Sequence, residues 1–305
     1  MTLSFAPDAI ERWPLERLKP YAKNAKMHGP DQVAKIAASM AEFGWTVPCL
    51  VSDDGELIAG HGRVLAAEQL GLSGILVTFS ELLTESANRA ALAFRAKLEV
   101  ESWSGIEETS ASLTSVYVGF DSSHIGHAKM VSDLKALLSQ ENWYALPLPQ
   151  KRKLWKIPTA FGNDLGPQLD EVAALAGVSP QEAIAQISTQ HVRVMTIGFA
   201  PGQPYLGQLS PNWDIPRQTG LTPQVPVGAL AVAIRQLVLF TTQTPTGWRH
   251  IGQTEFRGFR PDSEVPFVMR PGDEVIFQPT NPEKLANIRG QNENGDGGAT
   301  WEEIK

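Results

Sequence analysis

The spacing of apolar residues predicts helices near the start of this chain and strands in its second half. The first helix is indicated by apolar positions on one face, namely Val33, Ile36, Ala37, Met40 and Phe43. Pro30 suits its first position and Gly44 its left-handed stop. Residues 47–51 and 56–59 then predict two strands joined by a turn at Asp53.

A short glycine loop follows the second strand and leads into another apolar helix. It consists of Gly60, His61, Gly62 and Arg63. Glycines let backbone amides approach a phosphate, the N–H groups at a helix start favour negative charge, and Arg63 can add a bidentate contact. The alternative is a tight turn that needs two glycines and holds no ligand. These four residues leave both interpretations open.

Beyond residue 73 the pattern indicates an α+β layer. Strands are predicted at 74–79 and 115–120, and helices at 85–98 and 130–138. After a proline-containing linker, a capping box at Ser179 predicts the start of a further helix. The order of strand, helix, strand and helix is typical of an α+β domain.

From Val192 onward helices nearly vanish. Short apolar runs alternate with proline and glycine turns, which is typical of a β-barrel or sandwich. Residues 286–305 lack periodicity and are expected to form a mobile tail. The sequence therefore predicts a small α/β segment over 1–72, an α+β domain over 73–150, and a β-barrel domain with leading helices over 151–285.

Composition argues against several classes of protein. The 305-residue chain has a formal net charge of −7 and a pI near 5.4, which disfavours binding to nucleic acid. Cys49 is the only cysteine, so no internal disulfide is expected and a reducing cytoplasm fits. The sequence has no run of roughly eighteen apolar residues, the length that a membrane-spanning helix needs. His124 and His127 are spaced three apart, as metal ligands can be, but no motif ties a third histidine or carboxylate to them. No metal site is therefore predicted.

Candidate binding residues concentrate in the glycine- and proline-rich stretch between Gly198 and Thr254. They are Phe199, Tyr205, Arg217, Gln236, Trp248, Arg249 and Gln253. Arginine and glutamine bind carboxylates, amides and phosphates, and a rigid barrel can present them over an apolar cleft. The alternative is that the stretch forms only structural turns. We expect Arg249→Ala to weaken ligand binding with little loss of stability, and spacing alone identifies no catalytic residue.

The first segment contains four motifs: PYAKNAK at 20–26, VAKIAASM at 33–40, FGW at 43–45 and IAGHGR at 58–63. Through them, residues 13–72 resemble the ParB/sulfiredoxin-like N-terminal domain. The resemblance implies nucleotide binding at the loop of Gly60, His61, Gly62 and Arg63. Sulfiredoxins carry a reactive cysteine in this loop, where the present chain has His61, so redox repair chemistry is not implied.

A longer series of motifs lies within residues 74–282. It includes GFAPGQPYL at 198–206, VPVGALAVA at 225–233, PTGWRHIGQT at 245–254 and PGDEVIF at 271–277. Their order resembles the KipI-like family, which includes the B-type subunit of 5-oxoprolinase and the first subunit of allophanate hydrolase. The family is related to the carboxyltransferase domain of urea amidolyase.

This second resemblance implies an α+β domain followed by a cyclophilin-like β-barrel. It also implies a hetero-oligomer with a sister subunit of the KipA type, the C-type subunit of 5-oxoprolinase. Such a complex hydrolyses a small amide, 5-oxoproline, at the expense of ATP, while some members instead bind and inhibit a sensor histidine kinase. The chain has no Gly-x-x-x-x-Gly-Lys-Ser/Thr loop, so ATP must be bound by another arrangement or by the partner. No metal or flavin is indicated.

Several family positions differ here. Ile187 replaces a histidine, Gln203 a phenylalanine and Ala229 a serine. An amide in place of a ring, and alanine in place of a hydroxyl, change the chemistry of the expected pocket, so the substrate is less defined than the fold. Three functions stay open: an amide-hydrolase subunit, a non-catalytic kinase regulator, and a nucleotide-binding module.

Overall fold

The computed structural model describes residues 18–21, 29–43, 49–52, 54–70, 72–121 and 124–304. They divide into two compact units. The first contains the described residues of Met1–Val77, Leu98–Ser110 and Tyr117–Glu141, and the second those of Thr78–Lys97, Ala111–Val116 and Asn142–Lys305. The domain boundaries after residues 72, 150 and 285 do not coincide with this division and stay a prediction.

The first unit begins with a small sheet and two helices. The strands are β1 (Lys19–Pro20), β2 (Leu50–Val51) and β3 (Glu56–Ala59), in the order β1-β3-β2. The helices are α1 (Pro30–Phe43) and α2 (His61–Leu70). They share a small apolar cluster of Val33, Ala37, Met40, Ala66 and Ala67. The predicted helix and strand pair are confirmed, while Gly44 and Asp53 lie outside the described residues.

The predicted α+β layer follows. Its strands are β4 (Leu72–Thr78), β5 (Ile106–Ser112) and β6 (Ser115–Asp121), in the order β5-β6-β4, and its helices are α3 (Glu85–Glu101) and α4 (His127–Leu138). All the predicted elements are confirmed. The sequence did not predict β5, because its residues IEETSAS are mostly polar and do not alternate. This strand is recognisable only from its pairing with β6.

Seven strands of the second unit close into a barrel. They are β7 (Arg152–Phe161), β8 (Val192–Ile197), β9 (Pro204–Gly207), β11 (Ala229–Ala233), β12 (Gln236–Leu239), β14 (Arg249–Gln253) and β15 (Glu274–Pro279), while β10 (Thr222–Val225) and β13 (Thr244–Thr246) form a separate ribbon. Their order is β15-β7-β14-β11-β12-β9-β8, and β15 also pairs with β8. The predicted α+β fold with a β-barrel is confirmed.

The barrel encloses the main apolar core of the second unit. Two helices, α5 (Leu169–Leu175) and α6 (Pro180–Thr189), contribute to it. Its largest fully buried side chains include Ile157, Ile187, Trp213, Phe256 and Phe277. The predicted capping box of α6 is present, because Ser179 and Glu182 bond each other's backbone N–H groups. Ile187, which lies in α6, is fully buried in this core.

Two central strands, β11 and β12, are buried on both faces. Their inward side chains are Leu230, Val232, Leu237 and Leu239. A second apolar cluster, here called the outer layer, covers the opposite face and consists of Val225, Ala229, Ala231, Ala233, Val238, Phe240 and Trp248. Burial on both faces explains why these strands are continuous apolar runs without alternation.

The prediction of a mobile tail over 286–305 is wrong for the residues described, which extend to 304. Helix α7 (Pro282–Gly290) places Arg289 against buried Glu255, with 2.9 Å between Nε and Oε1. Strand β16 (Thr300–Ile304) pairs with β7 and sets Trp301 against Trp155. These contacts join residues distant in sequence, so local periodicity could not reveal them.

Candidate functional site

Tyr205, Trp248 and Arg217 form one cluster on the face that carries the outer layer. Tyr205 packs against Trp248 with 5.8 Å between the ring centroids. The Arg217 guanidinium carbon lies 5.3 Å from the centroid of the Trp248 ring, which is within cation–π range. Burial raises the pKa of Tyr205, whereas a hydrogen bond from the Gln203 side chain and the charge of Arg217 oppose that rise.

Gln236 and Gln253 lie on the same face, at its two ends. Cross-strand partners share a face, and Gln236 is opposite Ala233 while Gln253 is opposite Ala229. Both alanines belong to the outer layer. They stand at opposite ends of β11, a separation of ~13 Å at the usual rise per residue. The face therefore offers two separate polar positions.

Both glutamines carry a buried amide atom that has no hydrogen-bond partner among the described residues. These atoms are Gln236 Nε2 and Gln253 Oε1, and Gln203 Oε1 is a third. The orientation of the Gln253 amide is fixed, because its Nε2 donates to the carbonyls of Val227 at 2.8 Å and Thr254 at 2.9 Å. Leaving such a group unpaired costs ~1–3 kcal/mol. All three atoms are shielded from solvent within the protein.

Gln203 and His250 were not predicted as site residues, although both lie near this face. Gln203 precedes Tyr205 by two positions, so strand alternation could have indicated it. His250 is opposite Ala231 of the outer layer, on the other side of a register shift in β14. That shift is not visible in the sequence, and no local signal could have placed His250 here.

His250 should make stability depend on pH. Burial lowers its pKa from the usual 6.5, and its Nε2 bonds the Gly252 carbonyl at 3.0 Å. Because the unfolded chain binds the proton more readily, stability is fully present above pH 6.5 and declines as the pH falls toward the folded pKa. Urea unfolding at about pH 7.5 and about pH 5.5 should show a smaller loss for His250→Gln than for the wild type. Equal losses would contradict this assignment.

Arg249 and Phe199 do not join the cluster. Arg249 is opposite Val232, an inward core residue, and its guanidinium bonds Glu171 at 2.7 Å and the Pro216 carbonyl at 2.6 Å. Arg249 therefore connects parts of the fold, and we no longer expect Arg249→Ala to leave stability nearly unchanged. Phe199 is 73% exposed in the loop between β8 and β9.

The glycine loop of the first unit turns sharply into α2. Gly60 has a φ of +109°, and its carbonyl accepts from the N–H of Arg63 at 2.9 Å. A Cβ at Gly60 would lie 2.3 Å from Cys49 Sγ, so glycine is required there. His61 Nε2 accepts from the Tyr21 N–H at 3.3 Å. This geometry explains the first glycine as a turn, and nucleotide binding by the loop stays a prediction.

Two cavities of the second unit lie away from the predicted binding residues. One, of about 290 Å³, is lined by Asn163, Asp164, Leu165, Pro282, Leu285, Ala286 and Arg289. The other, of about 370 Å³, is lined by Pro158, Gln278, Pro279, Thr280, Lys284, Asn287 and Ile288. Both border α7. The described ranges contain no group of three or more metal-binding side chains and no helix that is long and apolar enough to cross a membrane.

Two curated proteins are similar to different parts of the chain. The chain is 31% identical over 220 residues to the B-type subunit of 5-oxoprolinase from Bacillus subtilis. The aligned region covers 69% of this chain and 90% of that protein. Over 77 residues the chain is 47% identical to the ParB-like nuclease domain-containing protein YnaK of Escherichia coli, which covers 25% of this chain and 88% of that protein. The second similarity lies at the N-terminus.

A solved structure and a family description agree with the first similarity. The solved structure of TTHA0988 is similar to this chain, with 30% sequence identity and a TM-score of 0.58. The match covers 69% of this chain and 40% of the TTHA0988 chain. The family described as carboxyltransferase domain, subdomain C and D, matches residues 65–269. The chain therefore belongs to the carboxyltransferase domain, subdomain C and D, family.

Proposed function

We propose that this chain is a subunit of an ATP-dependent small-amide hydrolase of the 5-oxoprolinase type. The observation that carries the proposal is the 31% identity to the B-type subunit of a 5-oxoprolinase over 90% of that protein's length. The face of the barrel with Tyr205, Gln236 and Trp248 supports it. Two aromatic rings and a side-chain amide are groups that suit a small amide ligand.

We expect this activity to need a partner. The relative is named as one subunit of an enzyme, and the present sequence has no phosphate-binding loop of the Gly-x-x-x-x-Gly-Lys-Ser/Thr type. A sister subunit of the KipA type, equivalent to the C-type subunit of 5-oxoprolinase, would then complete a hetero-oligomer and share or provide the ATP site. We place this complex in the cytoplasm, where a single free cysteine is stable.

The test is ATP hydrolysis by the chain, by its co-purified sister subunit and by the two together, each with and without 5-oxoproline. We expect stimulation by 5-oxoproline only in the mixture. Complex formation without any stimulated turnover would contradict the proposal and favour a KipI-type regulator, which binds a kinase and performs no chemistry.

A nucleotide-binding role for the first unit is a second candidate. It is favoured by the 47% identity to YnaK and by the position of Gly60 immediately before α2. The N–H groups at the start of a helix attract phosphate, and an arginine in the first turn adds a forked donor. The ligand would be a nucleoside triphosphate bound at Gly60, His61, Gly62 and Arg63.

Arg63→Ala should abolish nucleotide protection of the first unit. Limited proteolysis with CTP or ATP should slow cleavage within the first seventy or so residues of the wild type, because a bound nucleotide stabilises only the folded state. Lys35→Ala, at an exposed position of α1, is the matched control and should keep the protection. If CTP and ATP leave the cleavage of the wild type unchanged, this second candidate is wrong.

A further inference from the structure

One side of α7 and a short turn of the second unit line the cavity of about 290 Å³, here called the Arg289 cavity. The helix contributes residues at positions i, i+3, i+4 and i+7, which share one face, namely Pro282, Leu285, Ala286 and Arg289. The turn is the 3₁₀ segment Asn163–Leu165, which follows β7. Since α7 lies beyond residues 65–269, the family match does not account for this cavity.

Backbone contacts hold the turn that carries Asp164. The Gly162 N–H donates to the Ile251 carbonyl at 3.1 Å, and the Leu165 N–H donates to the Gly162 carbonyl at 3.2 Å. Gly162 and Asn163 have φ values of +71° and +49°, and a non-glycine residue keeps such a conformation only where its surroundings impose it. The Asp164 carboxylate is exposed and makes no hydrogen bond or ion pair with any described residue.

Arg289 supplies the opposite charge. Its Nε donates to Glu255 Oε1 at 2.9 Å, and its Nη2 lies 2.8 Å from the same oxygen. The Glu255 side chain is 2% exposed and holds one edge of the guanidinium in place, whereas the Arg289 side chain is 61% exposed. These contacts do not use Nη1. The free end of an arginine fork is a good donor to a carboxylate.

The two charges line one cavity without neutralising each other. Arg289 pairs with Glu255, and Asp164 has no ion-pair partner in the described ranges. Most of the remaining wall is apolar and consists of Leu165, Pro282, Leu285 and Ala286. A volume of about 290 Å³ lies at the lower limit for ligand pockets. The cavity therefore suits a small molecule that carries both charges and an apolar body.

We infer that the Arg289 cavity binds a small apolar α-amino acid. Arg289 Nη1 donates to the carboxylate, the Asp164 carboxylate accepts from the ammonium group, and the apolar side chain of the ligand packs against Leu285. The cavity shares no residue with the outer layer, and this inference is independent of the proposed function. It assigns a binding role and no chemical step.

The test compares L-leucine with two analogues on the full chain by calorimetry. The analogue 4-methylpentanoate lacks the ammonium group, and 3-methylbutylamine lacks the carboxylate. Each should bind about tenfold more weakly than L-leucine, the effect of one lost charge-assisted hydrogen bond. Asp164→Asn should weaken the binding of L-leucine about tenfold and leave that of 4-methylpentanoate unchanged.

Ala286→Leu tests the cavity itself and alters neither charge. Because Ala286 is exposed and lines the cavity, the added methyl groups should occupy the space of the ligand and abolish binding of L-leucine. The unfolding temperature should stay nearly unchanged, as for most surface substitutions. Ala185→Leu, at an exposed alanine of α6, is the matched control and should keep the affinity of the wild type.

Three results would overturn the inference. They are binding of L-leucine to the wild type weaker than about 10 mM, equal affinity of Ala286→Leu and the wild type for L-leucine, and binding of either analogue as tight as that of L-leucine. The proposed function fails differently, through missing 5-oxoproline-stimulated ATP turnover in the mixture with the sister subunit. Each of the two proposals can therefore fail alone.

Discussion

Gly228→Ala should cause one of the largest losses of stability in the second unit. Gly228 has a φ of +83°, and a Cβ there would lie 2.3 Å from the Thr254 carbonyl oxygen and 2.8 Å from Gln253 Nε2. The backbone cannot move freely, because the Gly228 N–H bonds the Phe240 carbonyl at 2.7 Å. Strain and overpacking together should lower the free energy of unfolding by roughly 2–4 kcal/mol, measured by urea denaturation.

Gly220→Ala is the matched control for this change. Gly220 is exposed, has no positive φ, and has no atom within 4 Å of its added Cβ. Its replacement should change the free energy of unfolding by no more than about 0.5 kcal/mol. Equal stability of both variants would show that the turn before β11 relaxes, and would contradict the close approach of Gly228 to Thr254.

Arg249→Ala should lower the free energy of unfolding by roughly 2–3 kcal/mol. The buried guanidinium connects Glu171 of α5 with the carbonyl of Pro216, so the substitution removes both bonds and an anchor of the loop that precedes Arg217. Half of the Glu171 side chain is exposed, which keeps the expected loss below that of a fully buried pair. Chemical denaturation provides the measurement.

Lys156→Ala controls for the loss of an ion pair as such. Lys156 pairs with Glu302, and their side chains are 36% and 56% exposed, so solvent screens the pair and the expected change is at most about 1 kcal/mol. A loss for Arg249→Ala as small as that for Lys156→Ala would restore the expectation from the sequence that Arg249 contributes little to stability.

Local patterns predicted the parts of the fold whose stabilising contacts lie close in sequence. The face of α1 and the capping box of α6 are of this kind, since both depend on residues three or four positions apart. The polar strand β5 and the C-terminal strand β16 depend on pairing with other strands. Neither leaves a trace in local hydrophobicity, which explains one missed strand and one wrongly predicted tail.

The candidate site was predictable in residue type more than in position. The sequence predicted Gln236 and Trp248 as lining an apolar cleft, and the structure places them on the outer-layer face of the barrel. Arg249 is adjacent to Trp248 in sequence but faces the core, because side chains alternate along the strand. Proximity along the chain therefore misassigned it. The unpaired amide atoms of Gln203, Gln236 and Gln253 could be recognised only in three dimensions.

The partners of β7 set the order in which this half of the protein can assemble. β7 pairs in parallel with β15, and Arg152 reaches Glu274 across 122 positions of sequence. Sheets built from such remote partners form late, since the loop must close before the contacts form. During synthesis, β7 must therefore wait for its partner strands β14, β15 and β16, which begin at residues 249, 274 and 300. We expect slow refolding and a benefit from chaperones that shield β7 in the interval.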